Sequence, residues 1–206
     1  MAKFITFEGI EGVGKSTAIH YVFEKLSALK IDVVLTREPG GTPFAEKIRD
    51  LLLHADVDEV MTGETEVLLM FASRAQHIAR FIKPALAKGR WVLCDRYTDS
   101  SIAYQGAGRG LPLQQIEQLA DWISLTPDIT ILLDAPVELG MQRAQKRKKL
   151  DRIEQEEKAF FERARAGFLR LASQHPKRYR VIDTSGSLLE VNRQLDVVIA
   201  EMQHDI

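Results

Sequence analysis

The sequence predicts a three-layer α/β/α protein built around a five-stranded parallel sheet. Short apolar runs alternate with longer stretches of helical periodicity, and neither repeats nor a Gly/Ser/Pro-rich linker interrupts them. The apolar runs cover residues 4–7, 31–35, 91–94, 129–133 and 179–182. Parallel strands are covered by helices on both faces and therefore consist of nearly continuous apolar residues. Helical crossovers between such strands place one helical layer on each side of the sheet.

Helical patterns account for most of the chain between these runs. The predicted helices cover residues 15 to about 29, 43–54, 64–88 and a final amphipathic stretch ending near residue 202. Gly89 follows the third helix, in a position where a glycine commonly ends a helix. A polar loop at 183–187 precedes the last helix.

Length and composition limit the classes of protein. The 206 residues fit one domain, 1–206. Lys and Arg number 28 against 29 Asp and Glu, a balance that argues against a generic binder of nucleic acid. The single cysteine, Cys94, excludes an internal disulfide and a thiolate zinc site. No signal-peptide layout and no apolar run of about 20 residues is present, so we expect a cytoplasmic protein without a membrane partner.

The most specific motif lies between the first strand and the first helix. Residues 9–16 match G-x-x-x-x-G-K-[ST] in the strand–loop–helix context of a P-loop NTPase fold. Its glycines let backbone N–H groups face one anion, Lys15 reaches the β- and γ-phosphates, and the Ser16 hydroxyl can bind Mg²⁺. The candidate ATP-binding residues are Gly9, Ile10, Glu11, Gly12, Val13, Gly14, Lys15, Ser16 and Thr17.

A second motif ends the third apolar run. Residues 91–95 form an apolar strand that finishes in Asp95, the pattern of a Walker B aspartate near Mg²⁺. An aspartate at a strand end can also be a helix N-cap, but beside a P-loop the magnesium interpretation is favoured. The predicted metal ligands are therefore Ser16 and Asp95.

A missing motif, the chain length and three arginines indicate which class of P-loop protein this is. The only asparagine, Asn192, precedes Arg193, so the N-K-x-D loop of guanine-nucleotide switches is absent, and the chain is too short for a motor. Arg37, Arg49 and Arg96 follow predicted strands or the next helix, where ligands bind in such sheets. Guanidinium groups suit phosphate. Unless the first two are surface charges, they indicate a small kinase whose acceptor already carries a phosphate.

The chain resembles the bacterial thymidylate kinase family along nearly its whole length. The matching segments are residues 7–17, Thr36-Arg37-Glu38-Pro39-Gly40-Gly41-Thr42, Phe71-Ala72-Ser73-Arg74, Asp95-Arg96-Tyr97, residues 101–106 and residues 150–154. The resemblance implies transfer of a phosphoryl group from ATP to dTMP with Mg²⁺, in a homodimer. It also implies a cis peptide bond before Pro39.

The resemblance implies a role for each matching residue. Arg96 would lie between the acceptor phosphate and the γ-phosphate, and Arg37 and Arg49 would hold the dTMP phosphate. Arg74 would bind the thymine edge, and Tyr104 would lie under the deoxyribose. The implied dTMP-binding residues are Glu11, Arg37, Glu38, Pro39, Arg49, Met70, Phe71, Arg74, Arg96, Tyr97, Ser101, Tyr104 and Gln105.

Two positions leave alternatives open. Relatives often stack an aromatic ring on the base at the position of Met70, whereas here Phe71 is one residue later, about 100° around a helix, so either residue could meet the base. Glu11 would contact the sugar 3′-OH or a Mg²⁺-bound water, or else pair with an arginine of a closing lid. A further difference concerns the P-loop. Some relatives have an arginine at the position of Gly12, but this chain has a glycine there, so no P-loop arginine can stabilise the transferring phosphoryl group.

A basic segment offers a substitute for that arginine. Arg143, Lys146, Arg147, Lys148, Lys149 and Arg152 lie between the fourth and fifth strands. In kinases of this type a mobile lid occupies this place, so we expect a short helical lid at about 143–153 whose arginines stabilise the transferring phosphoryl group. A solvated basic helix or a nucleic-acid patch is the alternative. The predicted catalytic residues are Lys15, Arg96, Arg147, Arg152 and Arg143.

Three rival functions stay open at this point: a kinase for another nucleoside monophosphate, a deoxynucleoside kinase, and an ATPase that binds nucleic acid through the basic segment. The near-zero net charge argues against the last, so no nucleic-acid partner is expected. The partners expected are ATP, dTMP and a second copy of the chain.

Overall fold

The centre of the computed structural model, which describes residues 2–54, 59–123, 125–145 and 152–204, is a parallel sheet. Its strands are β1 Phe4–Glu8, β2 Val33–Arg37, β3 Trp91–Asp95, β4 Ile129–Asp134 and β5 Tyr179–Asp183. They are arranged in the order β2-β3-β1-β4-β5. The predicted five-stranded parallel sheet is confirmed in the described residues.

The strands begin where the apolar runs begin except at β2, which begins at Val33 rather than at residue 31, and each strand ends one or two residues after its run. The difference comes from the turn after the first helix. The Ile31 N–H still donates to the Leu26 carbonyl, and Lys30 has a φ of 60°. These residues are therefore needed to close the helix before the strand can begin.

Helices flank the sheet. They are α1 Lys15–Ala28, α2 Pro43–His54, α3 Gly63–His77, α4 Lys83–Ala87, α5 Thr98–Ser101, α6 Leu113–Ile123, α7 Val137–Gln145, α8 Lys158–Gln174 and α9 Leu188–His204. The predicted helix over 64–88 is divided, because a π-helical segment, Ile78–Ile82, separates α3 from α4. A second π-helical segment, Ile102–Gly108, follows α5. In the described ranges no helix has both the length and the apolar character needed to span a membrane.

Alternation along β3 shows that both faces of the sheet are covered. Leu93 packs with α1 and α9 in one apolar cluster, whereas Val92 and Cys94 pack with the first π-helical segment in another. All three side chains are fully buried. The predicted three-layer arrangement follows from this packing, and Cys94 is a small buried side chain within it.

The strand register brings functional residues to one edge. Phe7 of β1 and Arg37 of β2 are both in register with Asp95 of β3. Because the strands are parallel, the P-loop after β1, the loop after β2 and the residues after β3 all emerge at the same edge. In open α/β sheets ligands bind at this edge, at the point where successive strands change from one side of the sheet to the other. Here that point is at β1.

Candidate functional site

The P-loop is packed backbone against backbone, so glycine is required at two of its positions. A Cβ atom on Gly12, which has a φ of +72°, would lie 1.9 Å from the Gly140 carbonyl oxygen of α7. One on Gly9, with a φ of +132°, would lie 2.2 Å from the Leu133 carbonyl oxygen. The loop is therefore held by β4 and α7, and the structure explains why no side chain stands at position 12.

Lys15 is directed back into this loop. Its Nζ donates to the carbonyl oxygens of Gly9, at 2.9 Å, and Ile10, at 2.8 Å. Burial, assisted by the charge of Arg96, lowers the pKa of Lys15 to about 8. The ammonium group is thus fixed at the first turn of α1, beside the backbone donors of the loop.

Ser16 and Asp95 line one cleft, at the start of α1 and the end of β3. The Asp95 Oδ1 atom is buried and has no hydrogen-bond partner among the described residues. A carboxylate oxygen without a donor, next to an exposed hydroxyl, fits a hard divalent cation such as Mg²⁺. The described residues hold no cluster of three or more His, Cys, Asp or Glu side chains suited to a metal. Mg²⁺ would therefore keep positions for water and substrate oxygens.

Arg96 is held in an unusual backbone conformation, with a φ of 67°. Its guanidinium donates to the Gly9 carbonyl oxygen at 2.9 Å, to Ser100 Oγ at 3.3 Å and to Glu11 Oε1 at 2.6 Å. Burial alone would lower its pKa, but the side chains of Tyr104 and Glu11 raise it above its ordinary value. The group is therefore a fixed positive charge that touches the P-loop directly.

Glu11 has a partner that the sequence did not predict. Besides Arg96, its carboxylate accepts a 2.7 Å hydrogen bond from the Tyr104 hydroxyl. The Arg96 guanidinium lies 5.0 Å from the centre of the Tyr104 ring. A carboxylate beside a phosphate-binding loop is thus compensated by an arginine that follows β3.

The predicted acceptor residues line a single cavity, with Phe71 the one exception. Leu53, Ser100 and Ile153 complete its wall together with Asp95. We call the part formed by Arg37, Arg49 and Arg96 the P-loop end, and the part formed by Met70, Arg74, Ser101 and Gln105 the α3 end. The other lining residues from the predicted set are Glu11, Glu38, Pro39, Tyr97 and Tyr104.

At the P-loop end, two of the three arginines come from the end of β2 and from α2. Arg37, at the end of β2, donates to Glu46 at 2.8 Å and is half exposed. Arg49, on α2, donates to the Pro39 carbonyl oxygen at 2.9 Å. The peptide bond before Pro39 is cis, as the family resemblance implies. Three guanidinium groups therefore face a cavity next to the P-loop.

At the α3 end, Arg74 is almost completely buried, and three of its five N–H groups donate to protein acceptors. It donates to Glu38 at 2.6 Å, to Ser101 at 3.1 Å and to the Tyr97 carbonyl oxygen at 3.0 Å. The Phe71 ring lies 4.7 Å from its guanidinium, in a cation–π contact that keeps Phe71 in the core. Of the two candidates for the base contact, Met70 therefore faces the cavity and Phe71 does not.

The basic segment is only partly described. Arg143 donates to the Thr184 carbonyl oxygen at 2.9 Å and lines a second cleft beside the P-loop, together with Thr17. Arg152 donates to the Leu52 carbonyl oxygen at 3.0 Å and to Glu66. Neither arginine lines the acceptor cavity in this structure. Arg147 and the neighbouring lysines, at positions 146, 148 and 149, lie outside the described residues.

Sequence reasoning missed two buried glutamates. Glu8 is fully buried and accepts hydrogen bonds from the Tyr97 N–H, at 2.8 Å, and from the Ser100 hydroxyl, at 2.6 Å. Burial and then the nearby Asp99 raise the pKa of Glu8 to about 8. Its signal was present, since a glutamate ends an apolar strand directly before Gly9. Glu66 gave no signal, because an acidic residue in the first turn of a helix is ordinary.

Comparisons with known proteins agree on one family. The family model described as thymidylate kinase matches residues 7–195. The chain is 53% identical to a thymidylate kinase of Pseudomonas fluorescens strain Pf-5 over 97% of this chain and 95% of the relative, and 52% identical to one of Ectopseudomonas mendocina with the same coverage. The crystal structure of thymidylate kinase from Ehrlichia chaffeensis superposes with a TM-score of 0.76 at 36% identity, over 98% of each chain.

Proposed function

Because the chain belongs to the thymidylate kinase family, we propose here how its residues carry out the reaction of that family. The protein is a dTMP kinase, which transfers the γ-phosphoryl group of ATP to dTMP and forms dTDP and ADP for dTTP synthesis. We further propose that the whole chain, 1–206, is one kinase domain with a lid at about 143–153.

One observation carries the assignment of the acceptor site. A single cavity has three guanidinium groups at one end and a buried, polar wall at the other, and its arginine end adjoins the P-loop. The dTMP phosphate would bind to Arg37, Arg49 and Arg96, where charge-assisted hydrogen bonds contribute about 1.5–3 kcal/mol each. The Pro39 carbonyl oxygen would shape this end by fixing Arg49, and Glu38 would shape the α3 end by fixing Arg74.

The base would lie at the α3 end. Met70 would pack against the pyrimidine ring, and Arg74, Ser101 and Gln105 would meet its polar edge. Tyr104, whose hydroxyl donates to Glu11, would lie under the sugar and disfavour a ribose 2′-OH. Glu11 would contact the sugar 3′-OH from the same place.

ATP would bind to the P-loop, residues 9–17, with Lys15 at its β- and γ-phosphates. Ser16 and Asp95 would hold Mg²⁺, directly or through water, as the unpartnered Asp95 oxygen supports. When bound, Mg²⁺ neutralises charge on the donor oxygens and orients them. Arg143, beside the second cleft, would act from the donor side.

We propose direct, in-line transfer without a covalent nucleophile. Lys15 and Arg96 both donate to the Gly9 carbonyl oxygen, and their positive charges would lie where the donor and acceptor phosphates meet. The lid would bring Arg147 and Arg152 to the phosphoryl group, which requires Arg152 to leave Glu66. Closure of the lid would also exclude water and so limit hydrolysis of ATP.

A homodimer is the proposed assembly, in the cytoplasm. Phe44 and Leu51 on α2 and Leu68 on α3 have more than half of their surface exposed, and α2 packs against α3. Large apolar side chains exposed on neighbouring helices are typical of an interface between proteins. A second copy of the chain, rather than nucleic acid, would cover them.

An acceptor panel tests the proposed function. Purified protein with Mg²⁺ and ATP is expected to form ADP rapidly with dTMP and only slowly with thymidine or dCMP, in a coupled assay. Discrimination against dUMP is expected to be modest, because one methyl group contributes about 1–3 kcal/mol. A higher rate with thymidine than with dTMP would contradict the phosphate-binding role of the three arginines.

A further inference from the structure

Glu66 lies outside the wall of the acceptor cavity but holds a residue that forms it. Its side chain is 1% exposed. The Oε1 atom accepts hydrogen bonds from Gln105 Nε2 at 2.7 Å and from Arg109 Nε at 2.8 Å, and the Oε2 atom accepts one from Arg152. Of these three partners, Gln105 is the one that lines the cavity.

The charge state of Glu66 determines which end of the Gln105 amide, oxygen or nitrogen, faces the cavity. Burial alone would raise the pKa of Glu66, but hydrogen bonds from Arg109, Gln105 and Arg152 outweigh burial and lower it. An ionised carboxylate only accepts hydrogen bonds. The Gln105 amide must therefore turn its nitrogen toward Glu66, because the opposite orientation would place two oxygen acceptors together.

We propose that Glu66 is a positioning residue that fixes the Gln105 amide with its Oε1 atom toward the base, and so selects a pyrimidine whose ring N3 carries hydrogen. Thymine presents N3–H as a donor to that oxygen. Cytosine presents an unprotonated N3, an acceptor, and would face the oxygen with a second acceptor. This inference rests on the proposed function, since it requires the base to lie at the α3 end.

Exchange of the carboxylate for an amide tests the inference. In Glu66→Gln the new amide can donate to Gln105, so the Gln105 amide loses its single orientation. We expect the preference for dTMP over dCMP, as a ratio of kcat/KM values, to fall about tenfold. The matched control is Glu64→Gln, an exposed glutamate on the same helix, which should leave the ratio unchanged.

A purely structural role for Glu66 predicts a different result. Activity with dTMP and dCMP would then fall in the same proportion, and an unchanged ratio in a folded Glu66→Gln protein would overturn the proposal. If that variant does not fold, Glu66→Asp is the alternative. It keeps a carboxylate that the long Arg109 and Arg152 side chains can still reach, but the shorter side chain lies too far from Gln105 for a hydrogen bond. Its ratio should also fall, and an unchanged ratio would again overturn the proposal.

Gln105→Leu separates this inference from the proposed function. It keeps Glu66 and both arginine pairs but removes the amide, so the ratio should fall at least as far as in Glu66→Gln. In the double variant Glu66→Gln, Gln105→Leu the two losses should not add, because both act on one contact. An unchanged ratio in Gln105→Leu would remove Gln105 from the base site. A loss in Gln105→Leu without one in either Glu66 variant would refute only the role of Glu66.

Discussion

Two buried glutamates, Glu8 and Glu66, lie behind opposite ends of the acceptor cavity and differ in charge. Glu8 accepts hydrogen bonds from neutral donors, the Tyr97 N–H and the Ser100 hydroxyl, and its pKa is raised to about 8. Glu66 is as deeply buried, but two of its donors are guanidinium groups, and its pKa is lowered. Burial is common to both, so the partners decide the charge.

The difference suits the two ends of the cavity. Behind the P-loop end, the raised pKa of Glu8 reduces the negative charge near Lys15 and Arg96, whose positive charge is proposed to bind phosphates. Behind the α3 end, an ionised Glu66 pairs with two arginines outside the cavity and fixes the one amide that lines it. One end is arranged for charge and the other for hydrogen-bond geometry, so variants at the two ends should affect different steps.

The largest effect is expected at the P-loop end. Arg96→Lys keeps the charge but loses the planar guanidinium that donates to Gly9, Ser100 and Glu11 at once. We therefore expect kcat to fall about 10²–10³-fold. Steady-state kinetics with ATP and dTMP measures this effect. Arg90→Lys is the matched control, because Arg90 lies at the other end of β3 and pairs only with Asp32 in the described contacts. If Arg96→Lys instead changed the preference for dTMP over dCMP and left kcat constant, the proposed division of roles between the two ends of the cavity would be wrong.

The next effect concerns the charge of Glu8. Its pKa is about 8 in the folded protein against 4.5 without the fold, so the folded state binds more protons between these values. The contribution of Glu8 to stability is therefore present below pH 4.5 and is lost as the pH rises through 8. Glu8→Gln lacks this dependence. From pH 5 to pH 8 the free energy of unfolding of Glu8→Gln should therefore rise, relative to that of the unchanged protein, by on the order of a few kcal/mol.

Urea unfolding of both proteins at several pH values measures that difference. Because both proteins share every other titrating group, the difference between them reports Glu8 and the groups coupled to it, chiefly Asp99. A difference that does not vary with pH would mean that Glu8 is ionised in the folded protein. The contrast with Glu66 would then disappear.

The smallest of these effects tests Arg152, which touches Glu66 in this structure but is proposed to act on the phosphoryl group. Arg152→Ala should lower kcat at least about tenfold with little change in the KM for dTMP. Arg170→Ala, an exposed arginine on α8, serves as the control. A raised KM with unchanged kcat would assign Arg152 to the α3 end alone.

Several features were predictable because they depend on local patterns. The apolar runs predicted the strands, and the P-loop and Asp95 were identified by residue type and position relative to them. Other features depend on contacts between residues distant in sequence. Phe71 is a candidate for the base contact by sequence, but it packs on Arg74 in the core. The partner of Glu11 is Arg96, which follows the neighbouring strand β3 and is 85 residues away along the chain. The roles assigned to Arg143, Arg147 and Arg152 stay predictions.

The sequence by itself determined the fold class, the phosphate-binding loop and the family, because each depends on short segments whose order along the chain is enough. Only the tertiary structure decided which side chain faces the cavity and which carboxylate is charged. These properties depend on burial and on donors contributed by other elements. Glu8 and Glu66 are the same residue type and are both almost inaccessible to solvent, but the groups that the fold places around them shift their pKa values in opposite directions.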